Sequence, residues 1–369
     1  MFRKLIIFLL CYAWAGHAIA QKPETLKQQL EQIRAKHNLP ALAAIVEKDG
    51  KILATASTGV RKMGSDIPVT DDDQWHIGSC TKSMTATLAA MLVQQGKLKW
   101  DTTVGDIFPE WKTEMNPPWS GVTLEQLLTH RSGAPHDAPA DLSRQAGRRI
   151  GTPTEQRLAF VHGLITRAPE APPGTKYIYS NQGYVIAGAM LERVTGKPWE
   201  ELMRTMIFEP LGMTSAGFGA PGTAEKIDEP WGHTPQLIPV PPGPDADNPP
   251  AIGPAGTVHC SLADFARYAA MHASGEQTGS PLLKPEGFVK LHTPAQGQDY
   301  AMGWIVCQRG WAGGRAFNHV GSNTMFLVNI WIAPSKKMVF IAATNIGNDQ
   351  AFPATDEAIS ALIERFLKN

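Results

Sequence analysis

The sequence predicts an α+β fold, in which an antiparallel sheet is flanked by N- and C-terminal helices and a mainly helical lobe is inserted between its strands. Two observations predict it. Strand patterns occur near the start of the chain, at 41–47 and 52–59, and return in its C-terminal third. Helical patterns fill most of the middle, from residue 79 to about 219. Because strands from both ends can pair in one sheet, we expect the chain ends to meet in one lobe.

The N-terminal elements follow from the spacing of apolar residues. Residues 24–37 carry Leu26, Leu30 and Ile33 at helical spacing, which indicates an amphipathic helix. An Asp-Gly pair at 49–50 separates the first two strand patterns, and such a pair is typical of a hairpin turn.

The later elements are predicted in the same way. An apolar stripe begins after residue 79 and ends at Gly96, a residue type that favours helix ends. A Pro-rich run at 229–254 is expected to lack regular structure. The remaining predictions are helices at 123–129, 154–165, 183–194 and 353–367, and strands at 302–307, 325–332 and 338–344. The lobes are then an α/β lobe, at about 21–78 and 252–369, and a helical lobe, at about 79–251.

The first twenty residues have the pattern of a secretion signal. Arg3 and Lys4 precede an apolar run, and a small-x-small site at 18–20 ends before Gln21. The run is shorter than the roughly 20 residues that a membrane span needs. We therefore expect residues 1–20 to be a cleaved signal peptide. The mature protein, residues 21–369, is expected to be secreted, most simply to a periplasm, with no stable membrane span.

Charge, cysteine and histidine content narrow the classes of partner. The chain has 34 Lys and Arg against 34 Asp and Glu, so nothing indicates nucleic acid or an anionic membrane as partner. After signal removal Cys80, Cys260 and Cys307 remain; one disulfide can form among them, and the sequence leaves the pairing open. His130 and His136 are a lone pair of histidines outside any metal-binding motif, and we interpret them as structural residues rather than metal ligands.

Ser79 and Lys82 are the first residues of chemical interest. They are three positions apart, so a helix brings them onto one face, where the amine can take the proton of the serine and make it a nucleophile. Ser79 is expected at a helix N-terminus, whose partial positive charge disfavours a protonated lysine and supports an oxyanion. The alternative is a capping serine beside a surface lysine.

Tyr179-Ser180-Asn181 lies in a tight connection before the predicted helix at 183–194. A phenol can relay protons, and a carboxamide can hold a substrate amide and a lysine together. The alternative is a tyrosine in the wall of the helical lobe, followed by an asparagine that caps the next helix.

His319-Val320-Gly321 precedes a predicted strand. A strand edge can offer a backbone N–H to a reacting carbonyl oxygen, and glycine permits close approach. A structural histidine is the alternative. A second His-x-Gly occurs at 76–78, and the later copy is preferred because it lies in strand-rich sequence.

These three motifs resemble those of the serine β-lactamase and penicillin-binding protein family, in the branch of class C β-lactamases, DD-peptidases and related esterases. They are Ser79-x-x-Lys82, Tyr179-x-Asn181 and His319-x-Gly321. Companion stretches that also resemble the family lie at 127–133, 210–213, 255–257, 264–267 and 343–345. The resemblance covers about residues 24–367 and implies a β-lactamase/DD-peptidase-like fold without a metal or organic cofactor. It also implies a small-molecule or short-peptide substrate, such as an ester, a D-amino peptide or a β-lactam.

The resemblance further implies a role for each motif residue. Ser79 would be the nucleophile that accepts the acyl group, and Lys82 its base or proton shuttle. Tyr179 would activate the nucleophile or the deacylating water, and Asn181 would position the substrate. The backbone N–H groups of Ser79 and Ser322 would form the oxyanion hole. Which of Lys82 and Tyr179 takes the first proton is left open.

One residue departs from the class C pattern. Class C β-lactamases have a lysine where this chain has His319, and a histidine of ordinary pKa attracts a substrate carboxylate more weakly at pH 7. We therefore expect a peptidase or esterase rather than an efficient β-lactamase, with carboxylate binding that strengthens below about pH 6.5. The alternatives are a true class C-like β-lactamase and a non-catalytic relative that binds penicillin or peptidoglycan.

Overall fold

The computed structural model describes residues 25–367, so the expected signal peptide lies outside the described residues. The strands are β1 Ala41–Lys48, β2 Lys51–Gly59, β3 Gln74–His76, β4 Gly217–Phe218, β5 Gly232–His233, β6 Pro239–Val240, β7 Val258–Ser261, β8 Ile305–Arg309, β9 Gly314–Ser322, β10 Leu327–Ala333 and β11 Met338–Thr344. The helices are α1 Leu26–Lys36, α2 Thr81–Gln94, α3 Val104–Ile107, α4 Leu124–Leu128, α5 Ala140–Gly147, α6 Pro153–Ile165, α7 Asn181–Thr195, α8 Trp199–Met203, α9 Glu209–Leu211, α10 Gly253–Gly256, α11 Leu262–Thr278, α12 Pro285–Leu291 and α13 Ala351–Leu367.

The main sheet joins the two ends of the chain. Its six strands run in the order β2-β1-β11-β10-β9-β8, and every neighbouring pair is antiparallel. The first strand pairs directly with the last, with Ile45 opposite Ile341. Asp49 and Gly50 both adopt positive φ in the β1–β2 turn, as the two-residue hairpin requires. The predicted α+β fold with an antiparallel sheet is confirmed.

Helices cover both faces of this sheet. Helices α1 and α13 bury their apolar sides on one face, where Leu30, Phe340 and Ile359 belong to one core cluster. The opposite face packs against α11 and the helical part of the chain, in a second cluster that includes Ile330 and Phe265. The predicted flanking by N- and C-terminal helices is therefore confirmed. Within residues 25–367, none of the helices combines the length and apolar character that crossing a membrane requires.

Helix α2 lies at the centre of the molecule. All of its residues from Thr81 to Leu92 are buried, so the helix is enclosed on every side rather than on one stripe. Ser79 precedes it in a single 3₁₀ turn, Gly78–Cys80. The helix itself thus begins two residues later than the sequence predicts, while Ser79 stays at its entrance. Gly96 follows the helix with φ +71°, as the predicted C-terminal glycine should.

Two strands of the C-terminal half differ from the prediction. Strand β9 was not predicted, because its residues from Ala316 to His319 are all buried and a strand covered on both faces shows no alternation. The strand predicted at 302–307 begins at Ile305, since Gly303 turns the chain with φ +83°.

The Pro-rich run at 229–254 is also more ordered than expected. It contains β5, β6, two 3₁₀ turns and the first residues of α10. Prolines begin several of these pieces, at positions where a missing N–H removes no hydrogen bond. Side chains from other segments form hydrogen bonds with the backbone carbonyl groups of this run. Asn323 donates to the Ala246 carbonyl at 3.1 Å, and Arg149 donates to the Asp247 carbonyl at 2.7 Å.

Candidate active site

The residues of the first two motifs meet around the amine of Lys82. Its Nζ lies 3.0 Å from Ser79 Oγ, 2.7 Å from Asn181 Oδ1 and 2.8 Å from the Ala255 carbonyl oxygen. These partners come from the turn before α2, from the start of α7 and from α10. The amine therefore has three hydrogen-bond partners, one for each N–H of an ammonium group.

Lys82 is fully buried, with no exposed surface. Burial lowers the pKa of Lys82 to about 7, because taking the ammonium out of water disfavours its charged form. A lysine with this pKa exchanges a proton readily near neutral pH. At and above that pH a substantial fraction of the amines is unprotonated and can accept one.

Tyr179 lies on the other side of Ser79. The Lys82 Nζ is 4.9 Å from the centre of the Tyr179 ring, and the phenol also lies near the Ser79 hydroxyl. Burial raises the pKa of Tyr179 to about 12, and the nearby Ser79 hydroxyl offsets this only in part. The phenol is therefore neutral at pH 7, while the neighbouring lysine titrates.

The backbone of β9 approaches the turn Gly78–Cys80 closely because both sides carry glycine. A Cβ placed on Gly78 would lie 2.3 Å from the Ser322 nitrogen, and a Cβ on Gly321 would lie 2.9 Å from the Ser79 nitrogen. The amide nitrogens of Ser79 and Ser322 thus belong to adjoining stretches of backbone. Two N–H groups in such an arrangement can stabilise an oxyanion.

The earlier His-x-Gly copy also lies at the site, which the sequence analysis did not foresee. The Gly78 N–H donates to His76 Nδ1 at 3.1 Å, and His76 Nε2 is 2.7 Å from a carboxylate oxygen of Asp247. This buried pair connects the Pro-rich run to the turn that carries Ser79.

His319 lies on β9 and is buried, with 4% of its surface exposed. Its Nδ1 contacts the Val320 carbonyl oxygen at 2.8 Å, so Nδ1 carries the proton of the neutral ring, and Nε2 lies 3.4 Å from the Tyr300 hydroxyl. Burial, reinforced by the nearby Lys82, lowers the pKa of His319 to about 3. The expected protonation near pH 6.5 is therefore wrong for this ring, because the reference value applies to a solvated imidazole. In the absence of substrate the ring is therefore neutral at pH 7.

Ser322 contributes to the shape of the cleft through its side chain as well. Its Oγ donates to the Phe326 carbonyl at 2.6 Å and accepts from the Thr324 N–H at 2.9 Å. Both hydrogen bonds of the hydroxyl lie within the turn after β9. The backbone of Ser322, rather than its side chain, therefore faces the turn Gly78–Cys80.

Three residues at the site were not assigned to it from the sequence. Ala255 accepts a hydrogen bond from Lys82, and Tyr300 packs between His319 and His130, with ring centroids 6.0 Å and 4.6 Å away. His130 was interpreted as structural, although it and Ala255 lie in companion stretches of the family pattern. No sequence signal marked Tyr300.

Among the described residues, the site contains neither a disulfide nor a group of metal ligands. Cys80, Cys260 and Cys307 are free thiols, and the first two are buried. Within residues 25–367, no group of three or more His, Cys, Asp or Glu side chains could hold a metal ion.

Comparison with known proteins identifies the family. A family model described as Beta-lactamase matches residues 26–363. The chain belongs to the β-lactamase family. Among curated members, penicillin-binding protein 4 of Amycolatopsis lactamdurans is 29% identical over 339 residues, which are 88% of this chain and 86% of the relative. Lovastatin esterase of Penicillium rubens is 28% identical over 193 residues, which are 48% of each chain.

Solved structures of the β-lactamase family show the same fold. The octameric penicillin-binding protein homologue from Pyrococcus abyssi superposes with a TM-score of 0.74 at 26% identity, and the match covers 93% of this chain and 78% of that one. D-alanine carboxypeptidase AmpC from Burkholderia cenocepacia superposes with a TM-score of 0.72 at 22% identity, and the match covers 91% and 97% of the two chains. The second likeness shows the fold alone. The predicted membership of the β-lactamase and penicillin-binding protein family is confirmed.

Proposed function

We propose that this protein is an exported serine hydrolase that cleaves an amide or ester through an acyl-enzyme on Ser79, of the peptidase or esterase type. One observation carries the proposal. Two of the three contacts of the Lys82 amine are carbonyl oxygens, on Asn181 and Ala255, and the third is Ser79 Oγ. A neutral amine has two N–H groups and one lone pair. If the two carbonyls accept the N–H groups, the lone pair faces the serine hydroxyl.

The first step follows from this geometry. Ser79 Oγ forms a bond to the substrate carbonyl carbon while its proton passes to Lys82 Nζ. The carbonyl π electrons move to the oxygen, which the backbone N–H groups of Ser79 and Ser322 stabilise. When the carbonyl re-forms, the C–O or C–N bond breaks. The leaving alkoxide or amine takes a proton from Lys82, directly or through the Tyr179 hydroxyl.

The second step repeats the first with water. The acyl group on Ser79 Oγ is attacked by a water molecule, whose proton passes to the amine or through the phenol, and collapse of the intermediate returns the proton to Oγ. Because Tyr179 has a pKa of about 12 and Lys82 one of about 7, we propose that Lys82 is the first base and that Tyr179 relays the proton as a neutral phenol.

The environment of His319 supports a substrate that does not depend on a charged histidine. A neutral ring cannot hold a substrate carboxylate by charge, so esters and peptide amides without a free carboxylate fit this site better than β-lactams do. The name of one relative, lovastatin esterase, supports the ester part of this proposal. Export to the periplasm is part of the proposal and rests on residues 1–20.

Labelling with a fluorophosphonate probe and with fluorescent penicillin tests the nucleophile. We expect the wild type to be labelled and Ser79→Ala to remain unlabelled, while Ser335→Ala, at an exposed serine, is labelled like the wild type. Equal labelling of wild type and Ser79→Ala would refute the assignment. In a parallel assay with p-nitrophenyl esters, D-Ala-D-Ala peptides and nitrocefin, turnover should be highest for an ester or a peptide. An absence of burst and turnover with all three would favour a non-catalytic relative.

A further inference from the structure

His130 holds the backbone of Tyr179 on both sides. The N–H of Ile178 donates to the His130 carbonyl at 2.8 Å, and the N–H of Ser180 donates to His130 Nδ1 at 3.1 Å. These donors are the two chain neighbours of Tyr179, whose ring centroid lies 4.4 Å from that of the imidazole. Tyr179 cannot change position in the cleft without disturbing a contact to His130.

The backbone of His130 is strained. Its φ is +57°, in the left-handed region, which is unfavourable for a residue with a side chain. The conformation belongs to the C-terminal cap of α4, because the next residue, Arg131, donates its N–H to the Gln126 carbonyl at 2.8 Å and closes the end of the helix. The end of α4 therefore fixes the backbone of His130 in place.

The imidazole of His130 carries a second cost. Because Nδ1 accepts from Ser180, the proton of the neutral ring lies on Nε2. Nε2 is buried and has no hydrogen-bond partner among the described residues, which destabilises the folded protein. A phenyl ring could fill the same space among Tyr177, Tyr184 and Tyr300 without this cost. The benefit of a histidine here is therefore its Nδ1 acceptor.

The acceptor is preserved at the pH at which the site works. Burial lowers the pKa of His130 well below its ordinary value, and the nearby Lys82 and His319 act in the same direction. The ring therefore stays neutral while Lys82 titrates, and Nδ1 keeps its lone pair for Ser180.

We propose that His130 is a positioning residue for the hydrolytic site: its Nδ1 and its carbonyl oxygen fix the backbone on both sides of Tyr179, so that the phenol stays in contact with Ser79. The inference rests on the proposed Ser79 chemistry and adds a residue outside the three motifs. His130 acts on the reaction through Tyr179.

Two substitutions separate the acceptor from the ring. His130→Asn places Oδ1 where Nδ1 lies, and asparagine tolerates the left-handed conformation. His130→Phe keeps an aromatic ring and removes the acceptor. We expect His130→Phe to lower the rate of fluorophosphonate labelling about 100-fold, as a small misplacement of a reacting group can, with little change in KM for an ester substrate. His130→Asn should recover most of that loss, and His136→Asn, at an exposed histidine, should match the wild type.

A double-mutant cycle with Tyr179→Phe tests whether the effect passes through the tyrosine. If it does, His130→Phe causes little further loss in the Tyr179→Phe background, whereas an independent structural role lowers the rate by the same factor in both backgrounds. Melting temperatures establish that each variant is folded. If His130→Phe does not fold, His130→Ala and His130→Asn make the same comparison, since only asparagine carries an acceptor.

Three results would overturn the role of His130 while leaving the hydrolase intact. The first is a labelling rate of His130→Phe equal to that of the wild type. The second is a labelling rate of His130→Asn as low as that of His130→Phe. The third is that His130→Phe lowers the labelling rate by the same factor in the wild-type and Tyr179→Phe backgrounds. A wild type that fails to react with the probe would instead overturn the proposed function, and this inference with it.

Discussion

Lys82 shows how the surroundings of one side chain set its chemistry. The residue is fully buried, and burial lowers its pKa to about 7. The same burial places its amine against two carbonyl oxygens and one hydroxyl. A lysine in water would be charged at pH 7 and could not accept a proton. At this position it exchanges one within the physiological range.

The pH dependence of labelling follows from the sign of this shift. Below pH 7 Lys82 is mostly protonated and has no lone pair for the serine proton; above pH 7 it is mostly neutral. We expect the rate constant for fluorophosphonate labelling to rise about tenfold per pH unit as pH increases towards 7 and to level off above it. Measurements between pH 5 and 9 test this.

Arginine provides the control for this prediction, because it stays charged throughout that range. Lys82→Arg should label about 100- to 10,000-fold more slowly than wild type, and Lys97→Arg, at an exposed lysine, should not differ from it. A wild-type rate that is independent of pH would contradict the assignment of Lys82 as the base.

The contact between the turn Gly78–Cys80 and strand β9 depends on two glycines, Gly78 and Gly321. Gly78 has φ +50°, and its missing side chain leaves room for the backbone of Ser322. Gly321 has an ordinary φ, so only space requires glycine there. The two elements come from distant parts of the chain, and their approach brings together the N–H groups proposed to stabilise the oxyanion.

Gly321→Ala tests this contact. The added Cβ would lie 2.0 Å from the Ile77 carbonyl oxygen and 2.8 Å from the Cys80 nitrogen, so β9 or the turn must move. We expect labelling to slow about 100-fold. Gly310→Ala is the matched control, because a Cβ there would meet no atom within 4 Å. Wild-type labelling by Gly321→Ala would show that the site does not use this approach of backbones.

The whole molecule contains a buried carboxyl group that opposes its stability at neutral pH. Glu47, near the end of β1, is 2% exposed, and neither of its carboxylate oxygens has a hydrogen-bond partner of good geometry. Burial raises the pKa of Glu47 to about 7, although the amides of Gly50 and Lys51 lower it in part. The folded protein therefore favours the protonated acid.

The stability of the fold should consequently depend on Glu47 in a defined pH window. Below about pH 4.5 the group is protonated in both the folded and the unfolded state and contributes nothing to the difference between them. Between about 4.5 and 7 the unfolded chain loses the proton first, so the free energy of unfolding falls as pH rises, by up to about 3 kcal/mol. Glu47→Gln should then be more stable than wild type at pH 8 and equal to it at pH 4.

Urea denaturation at both pH values measures this effect. Asp49→Asn, at an exposed carboxylate on the same hairpin, should change the free energy of unfolding little at either pH. A Glu47→Gln variant that is less stable than wild type at pH 8 would show that the ionised carboxylate is stabilised by partners in the folded protein.

Much of the fold and of the candidate site could be predicted from residues close together in the chain. The spacing of Ser79 and Lys82 predicts a shared face, and the structure places their side chains 3.0 Å apart. The Asp-Gly pair at 49–50 predicts the hairpin that the structure contains. Strand β9 could not be predicted in this way, because its residues are buried on both faces and include the polar Asn318.

The amino-acid sequence alone was sufficient to predict the family, the antiparallel sheet and the residues of the three motifs, since local spacing and residue type decide these. Only the tertiary structure decided the protonation and the contacts of those residues. Neighbours remote in sequence determine the pKa values of Lys82 and His319. They also determine the contacts of Ala255 and Tyr300, and the hydrogen bonds between His130 and the two chain neighbours of Tyr179. Desolvation and hydrogen bonding arise only when distant segments pack together, so no pattern along the chain records them.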